Sequence, residues 1–388
     1  MNRRLVITLC LITLGLYAWP AYEWVSSGNR DRGTFTAAPV SSSSPSAAPF
    51  MIREFISPDS GTGMVHVGSI CELPRGGLAA AWYGGTREGA RDVAVFLSLK
   101  GPEDASWSRP KTIMDRASAS RDLSRYVKKV GNPLLFSGPG ERLWLIYVTI
   151  AVGGWSGSSL NVTWSDDNGA TWTRSRRLTL SPFFNISELV RNRPLSMSNG
   201  GFAVPIYHEF LGYFPEMLWL QPPLKGPEIH FTKSRMTGGQ RFIQPSVVAL
   251  GPFAARAFYR SRAHEKAIGT AATEDAGASW SEPRPLSLPN PDSGLDALLL
   301  SDQRILLAFN DSTVNRENLR LAVSDDQGRR WTRIATLDSA PKGEFSYPYM
   351  IRTQDGRIHL VYTWNRKRIR HIVLNAAWID ARMKGTLK

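Results

Sequence analysis

Apolar residues in this chain come mostly in short runs. Gly77-Leu78-Ala79-Ala80-Ala81-Trp82-Tyr83 and Leu143-Trp144-Leu145-Ile146-Tyr147 are continuous apolar stretches of strand length, bounded by turn residues. That pattern predicts many short buried strands rather than long amphipathic helices. The N-terminus is different. Leu5 to Val25 is mostly apolar, interrupted by Pro20 and Glu23, and follows a basic stub at Arg3-Arg4. This reads as a signal anchor, or as a signal peptide if it is cleaved. An anchor would leave residues 1–4 in the cytoplasm and hold the body, tethered to the inner membrane, in the periplasm. Cleavage would give a periplasmic or secreted protein. Residues 26–48, with the run Ser41-Ser42-Ser43-Ser44-Pro45-Ser46, are too polar to fold and are expected to be a linker. The folded body is expected over 49–388.

A repeated turn organises that body. Ser165-Asp166-Asp167-Asn168-Gly169-Ala170-Thr171-Trp172 and Ser324-Asp325-Asp326-Gln327-Gly328-Arg329-Arg330-Trp331 share the pattern S-x-D-x-G-x-x-W. Thr273-Glu274-Asp275-Ala276-Gly277-Ala278-Ser279-Trp280 differs only by Thr for Ser, and Lys100 to Trp107 is a degenerate copy. The hydroxyl and carboxylate can hold backbone N–H groups, the Gly can take a positive φ, and the Trp can pack between sheets. These segments resemble the Asp-box of sialidase-like β-propellers. The Trp positions 107, 172, 280 and 331 leave one double-length gap, and enough chain follows Trp331 for one more repeat. A blade without a clear box is therefore expected near Thr232 to Phe242, where Ser234, Gly238 and Gly239 echo the turn. The expected fold is all-β, a six-bladed β-propeller whose first and last strands close the ring. The boxes define the fold and not the site.

Charge and composition narrow the partners. A net charge of +14 attracts anions. No nucleic-acid module accompanies that charge, which leaves an acidic glycan or a solvated basic face. Membrane contact is expected through the N-terminal segment only. Two cysteines, Cys10 and Cys71, and six histidines without ligand spacing predict neither a disulfide framework nor a metal or other cofactor.

The phrases His66-Val67-Gly68-Ser69-Ile70, Trp82-Tyr83-Gly84-Gly85-Thr86-Arg87-Glu88-Gly89, Gln244-Pro245-Ser246, Asn290-Pro291-Asp292-Ser293-Gly294 and Ser346-Tyr347-Pro348 carry a closer resemblance. Over about residues 51 to 375 the chain resembles the sialidase superfamily, in its BNR-repeat neuraminidase-like branch. That resemblance implies arginines that clamp a sugar carboxylate, a tyrosine nucleophile activated by a glutamate, and an acidic residue that protonates the leaving oxygen. Arg binds carboxylates as a charged fork. By this resemblance Arg260 and Arg316 match two clamp arginines, with Arg87 as a further loop arginine. Tyr347 matches the nucleophile, and Glu88 or Asp92 the general acid.

Two positions depart from the pattern. His66 stands where the resemblance implies the first clamp arginine, and Gln244 where it implies the activating glutamate. A glutamine cannot accept the phenol proton. Glu209, Glu265 or Glu344 would have to substitute, or the chemistry differs. Gln244 is nonetheless expected within hydrogen-bond reach of the Tyr347 hydroxyl. Three functions stay open: an exported sialidase-like glycoside hydrolase acting on an acidic sugar, a uronic-acid polysaccharide lyase or hydrolase using Tyr347 and His66, and a non-catalytic acidic-glycan-binding propeller.

Overall fold

A computed structural model describes residues 3–26, 32–36, 48–56, 62–73, 76–138, 142–222, 228–236 and 241–387. Helix α1 (Arg3–Ser26) comes first and takes in Arg3 and Arg4 of the expected stub. It is long and apolar enough to cross a membrane and packs none of its residues into the interior, which fits a signal or anchor segment. Strand β1 (Met51–Phe55) follows.

The remaining strands form six antiparallel sheets. Blade 1 is β2 (Met64–Glu72), β3 (Leu78–Gly85), β4 (Ala94–Lys100) and β5 (Lys111–Met114). Helix α2 (Arg116–Leu123) leads to blade 2: β6 (Lys129–Ser137), β7 (Leu143–Ile150), β8 (Ser158–Ser165) and β9 (Arg176–Arg177). Blade 3 has five strands: β10 (Glu188–Val190), β11 (Leu195–Ser196), β12 (Phe202–His208), β13 (Phe214–Gln221) and β14 (His230–Arg235). Blade 4 is β15 (Phe242–Ala249), β16 (Ala255–Ser261), β17 (Ala267–Thr273) and β18 (Arg284–Pro289). Blade 5 is β19 (Asp296–Leu299), β20 (Ile305–Phe309), β21 (Asn318–Ser324) and β22 (Thr332–Ser339). Blade 6 is β23 (Phe345–Arg352), β24 (Ile358–Trp364) and β25 (Arg368–Leu374), completed by β1 on β25, Met51 opposite Leu374. Helix α3 (Ala376–Met383) then buries Trp378 and Ile379 beside blade 5. The fold is the expected six-bladed β-propeller. Pairing the first strand with the last removes the open sheet edge that would otherwise invite aggregation.

The innermost strand of each blade starts at one end of the central channel, here termed the upper face. Because the strands alternate in direction, the connection between the third and fourth strands of a blade lies on the lower face, and every box sits there. The boxes are built alike. Ser165 Oγ accepts from Gly169 N at 2.7 Å, Thr273 Oγ1 from Gly277 N at 3.0 Å, and Ser324 Oγ from Gly328 N at 2.8 Å. The Asp carboxylates accept from Thr171 N, Ser279 N and Arg330 N. The three glycines have φ of 82°, 85° and 86°, where a side chain is strained. A Cβ on them would also meet Leu97, Trp219 and Phe258, each on the preceding blade. The box tryptophans seal the same seam: Trp280 is buried, while Trp172 and Trp331 are half-buried.

Two expectations need correction. Blade 3 is the blade without a clear box in the double-length gap, but its third strand ends at Gln221 and its fourth begins at His230, so their connection precedes Thr232. Thr232 to Phe242 holds β14 and the passage to blade 4, and Ser234 accepts from Trp219 Nε1 within the sheet. Gly238 and Gly239 lie outside the described residues, as does the run 41–46 of the expected linker. Within that linker stretch Phe35 is 2% exposed, pairs with Met197, and packs with Trp219. Its apolar ring outweighs the polar composition around it, so the chain is pinned to blades 3 and 4 at that point.

Candidate functional site

Four inner strands bulge just below the upper mouth. The residue in the bulge has positive φ: Val67 (49°), Asn132 (42°), Gln244 (53°) and Tyr347 (56°). In three of them the next residue is proline, which has no N–H to give the ladder and is tolerated at a bulge. A bulge re-aims side chains at sheet ends. Here it turns Asn132, Gln244 and Tyr347 toward one another. Asn132 Nδ2 and Gln244 Nε2 both donate to the Tyr207 hydroxyl, at 3.4 and 3.1 Å.

Arginines gather around the Tyr347 ring. Arg260 Nη1 lies 3.3 Å from the Tyr347 hydroxyl and 3.3 Å from Gln244 Oε1. The Arg191 and Arg316 guanidiniums sit 5.2 and 5.4 Å from the ring centre. The loop before blade 5 holds two of them: Asp292 Oδ1 accepts from Arg260 Nε at 2.7 Å, and the Asp292 carbonyl accepts from Arg316 Nη2 at 3.0 Å. Gly294 in that loop leaves room for the cluster. A Cβ there would fall 2.8 Å from Tyr347 Cδ1, 3.0 Å from Arg191 Nε and 3.1 Å from Gln244 Oε1.

Burial pushes the Tyr347 phenol up, but the guanidiniums of Arg260, Arg316 and Arg191 outweigh it, and its pKa falls below the ordinary value of 10. His66 packs edge-on against Tyr347 with ring centres 4.7 Å apart, and its Nδ1 lies 3.1 Å from Thr363 Oγ1. Burial first, then Arg366, Arg316, Arg191 and Arg260, hold the imidazole well below its usual pKa. His66 is therefore neutral at pH 7 and carries no clamp charge. Glu88 is ion-paired to Arg366, whose Nε reaches Glu344 Oε2 at 2.7 Å, and Glu344 lies 3.6 Å from Arg316. Glu209, on the loop after β12, has its pKa raised by burial against the pull of Arg260 and Arg262.

The structure thus brings together His66, Glu88, Gln244, Arg260, Arg316 and Tyr347. It does not bring Gln244 onto the Tyr347 hydroxyl. Arg260 stands between them as the shared partner, and the Gln244 amide is turned to Tyr207. Asp92 and Arg87 are exposed, and Asp92 is spent on its own loop, accepting from Thr86 N at 2.8 Å and Thr86 Oγ1 at 3.0 Å. Glu265 is exposed on the loop after β16. Sequence reasoning missed Arg191, Arg366 and Tyr207. The signal for Arg191 was Arg191-Asn192-Arg193-Pro194, a double arginine at a strand end. Its buried Nε has no hydrogen-bond partner and lies beside the Gly294 gap. Arg366 and Tyr207 gave no comparable signal.

Two other regions of the molecule differ from this one. Glu188, His208 and Glu216 place ligand atoms within 4.8 Å of one another, but the Lys233 ammonium already bridges both carboxylates and supplies the positive charge there. The lower end of the channel opens into a cavity of about 760 Å³ lined by Ile70, Phe136, Tyr349 and Arg193. None of the site residues named from the sequence reaches it. What the upper mouth offers chemically is different: buried cations around an acidified phenol.

Solved structures with the same fold include the Hadza microbial sialidase Hz136, at 15% identity and TM-score 0.68, covering 84% of this chain and 68% of that one. The intramolecular trans-sialidase from Ruminococcus gnavus matches at 12% identity and TM-score 0.64, covering 83% and 96%. A protein of unknown function from Dyadobacter fermentans matches at 14% identity and TM-score 0.60, covering 80% and 94%. At these identities the likeness concerns the fold. No curated protein sequence matches the chain significantly. The family model for the BNR repeat-like domain matches residues 76–360, most of the propeller, and the chain belongs to that family.

Proposed function

We propose that the upper mouth binds an acidic sugar and cleaves its glycosidic bond, as a sialidase-like glycoside hydrolase. The observation that carries this reading is the Tyr347 hydroxyl held 3.3 Å from Arg260, with Arg191 and Arg316 over its ring and its pKa lowered by those cations. The arginines supply what a glutamate base would otherwise supply, a phenol that ionises more readily. They also attract the substrate carboxylate, with Arg260 and Arg316 presenting forks of donors.

The steps follow from that arrangement. The Tyr347 hydroxyl first gives up its proton to solvent, and its oxygen then bonds to the anomeric carbon while the bond to the leaving oxygen breaks. That oxygen takes a proton from a carboxylic acid at the mouth, Glu88 or Glu209. Water then attacks the same carbon, gives its proton back to the carboxylate, and the bond to Tyr347 breaks. Glu209, kept high by burial, is the better proton store. Glu88 needs to leave Arg366 to act. The guanidiniums around Tyr347 offset the like charge that its ionised oxygen would set against an anionic sugar.

Gln244 favours a second reading, a propeller that holds an acidic glycan without turning it over. Incubating the purified chain with sialosides and uronic-acid oligosaccharides separates the readings. Free sialic acid that depends on Tyr347 supports the hydrolase. Saturable binding without product supports the binder, and a new ultraviolet-absorbing unsaturated product points to a lyase.

A further inference from the structure

The upper face carries a feature that sugar cleavage does not use. Among the described residues outside α1, most of the exposed large apolar side chains stand on the upper loops of blades 1 to 3. Tyr126, Val152, Phe183, Phe184, Phe210 and Leu211 are 54–78% exposed. They belong to four neighbouring upper connections: β5 to β6, β7 to β8, β9 to β10, and β12 to β13. Single exposed apolar residues need no explanation, but a contiguous set on one face marks an interaction surface.

The occupant is indicated by α1. Tyr17 of α1 makes edge contacts with Phe183 and Phe184, at ring-centre distances of 5.6 and 6.2 Å, and Glu23 Oε2 accepts from Thr179 Oγ1 at 2.8 Å. The helix therefore runs along the β9 to β10 loop, its later end at Thr179 and its middle at the loop tip. Trp19, Tyr22 and Trp24 form an exposed aromatic belt near that later end, the level at which a spanning helix meets the headgroups. Tyr17 lies two to seven residues further toward the apolar middle, about 3–10 Å at the helical rise. Phe183 and Phe184 reach the same depth. Exposed Arg87, Arg91, Arg121 and Arg125, on the adjoining upper loops of blade 1, add positive charge suited to anionic headgroups.

We propose that the upper face of blades 1 to 3 lies against the lipid bilayer, its aromatic loop tips seated among the headgroups beside a retained α1. The channel mouth then opens toward the membrane surface, and groups borne on that surface meet it directly. This holds whether or not the mouth cleaves sugars.

The test uses the full chain, α1 included, in vesicles of phosphatidylcholine and phosphatidylglycerol. In a Cys10→Ser background, with Cys71 buried, single cysteines at Phe184→Cys, Leu211→Cys and, on the lower face, Phe253→Cys carry an environment-sensitive fluorophore. Lipids with a quencher high on the acyl chain should lower emission at 184 and 211 by about twofold or more, for side chains buried at the depth of an interfacial segment, and leave 253 unchanged. Emission at 184 and 211 quenched no more than at 253 overturns the proposal, whether all three stay bright or all three are lost. The readout requires no turnover, so it fails or succeeds independently of the proposed hydrolysis.

Discussion

The two faces of the propeller repeat a backbone device in opposite ways. On the lower face the device is the box, and the same side chains recur each time: hydroxyl, carboxylate, glycine, tryptophan. On the upper face it is the bulge with a left-handed residue, and the side chains differ: Val67, Asn132, Gln244 and Tyr347. The lower residues form the turn themselves, so their identity is fixed by the turn. The upper residues are placed by the backbone, so their identity is free to serve the channel. On the proposed function, stability and chemistry are thereby separated by the height of one blade, and substitutions on the two faces should fail in different ways.

The largest effect is expected at the mouth. Tyr347→Phe should lower kcat on any cleaved sugar by about 10³-fold or more, the scale on which a catalytic set loses rate when one member goes. Its urea midpoint should shift little, since only one hydroxyl contact is lost. Equal turnover by the variant would remove the upper face from the chemistry. On the lower face, Trp280→Ala should cost about 3–5 kcal/mol of unfolding free energy, as large aromatic truncations do. Turnover per folded molecule should stay near that of the parent, read from kcat below the unfolding transition. A catalytic defect without a stability loss would break the separation.

Gln244→Glu should raise kcat by about tenfold, less than the full 10²–10⁴ of a well-placed base, because Arg260 stands between position 244 and the phenol. A fall in kcat would mean that the Gln244 amide bond to Tyr207 matters more than a proton acceptor.

A further effect concerns pH. Burial, then His371, depress the His359 imidazole to about 3, and burial depresses His66 and His371 as well. In the unfolded chain His359 takes a proton near pH 6.5, while the folded chain leaves it off until about pH 3. The stability contributed by His359 is therefore full above pH 6.5 and is lost as pH falls from there toward 3, by about 2 kcal/mol at pH 5, and His66 and His371 act in the same direction. Glu188, raised by burial and Glu216, works in the opposite sense over part of that range. Urea midpoints at pH 7.5 and 5 for the parent and for His359→Gln isolate the histidine contribution, and the variant should show the shallower slope.

The same contrast explains what the sequence revealed. The boxes were legible because their side chains make the turn, and the blade count followed from their spacing. Blade 3 was misplaced by a few residues because its turn lacks those side chains. Arg260, Arg316 and Tyr347 were legible through resemblance. The x-Pro steps at 132–133, 244–245 and 347–348 were a further sign of the bulges that aim them. Arg191 and Arg366 were hidden because their importance lies in burial and in partners far along the chain, Pro348 and Glu88. Asp92 misled for the converse reason. It sits four residues from Glu88, yet its carboxylate folds back on Thr86 while Glu88 reaches across to blade 6. Phe35 shows that one buried ring can order a stretch whose composition reads as linker.

The central claim is that the ring of arginines at the upper mouth recognises a sugar carboxylate. Calorimetric titration of the detergent-solubilised full chain with sialic acid, and with the same sugar as its methyl ester, tests it most directly. The acid should bind at least about tenfold tighter than the ester, since the ester loses the charge-assisted pairing, and Arg260→Lys and Arg316→Lys should each narrow that gap. Equal affinity for acid and ester, or an unchanged gap in both variants, would contradict it.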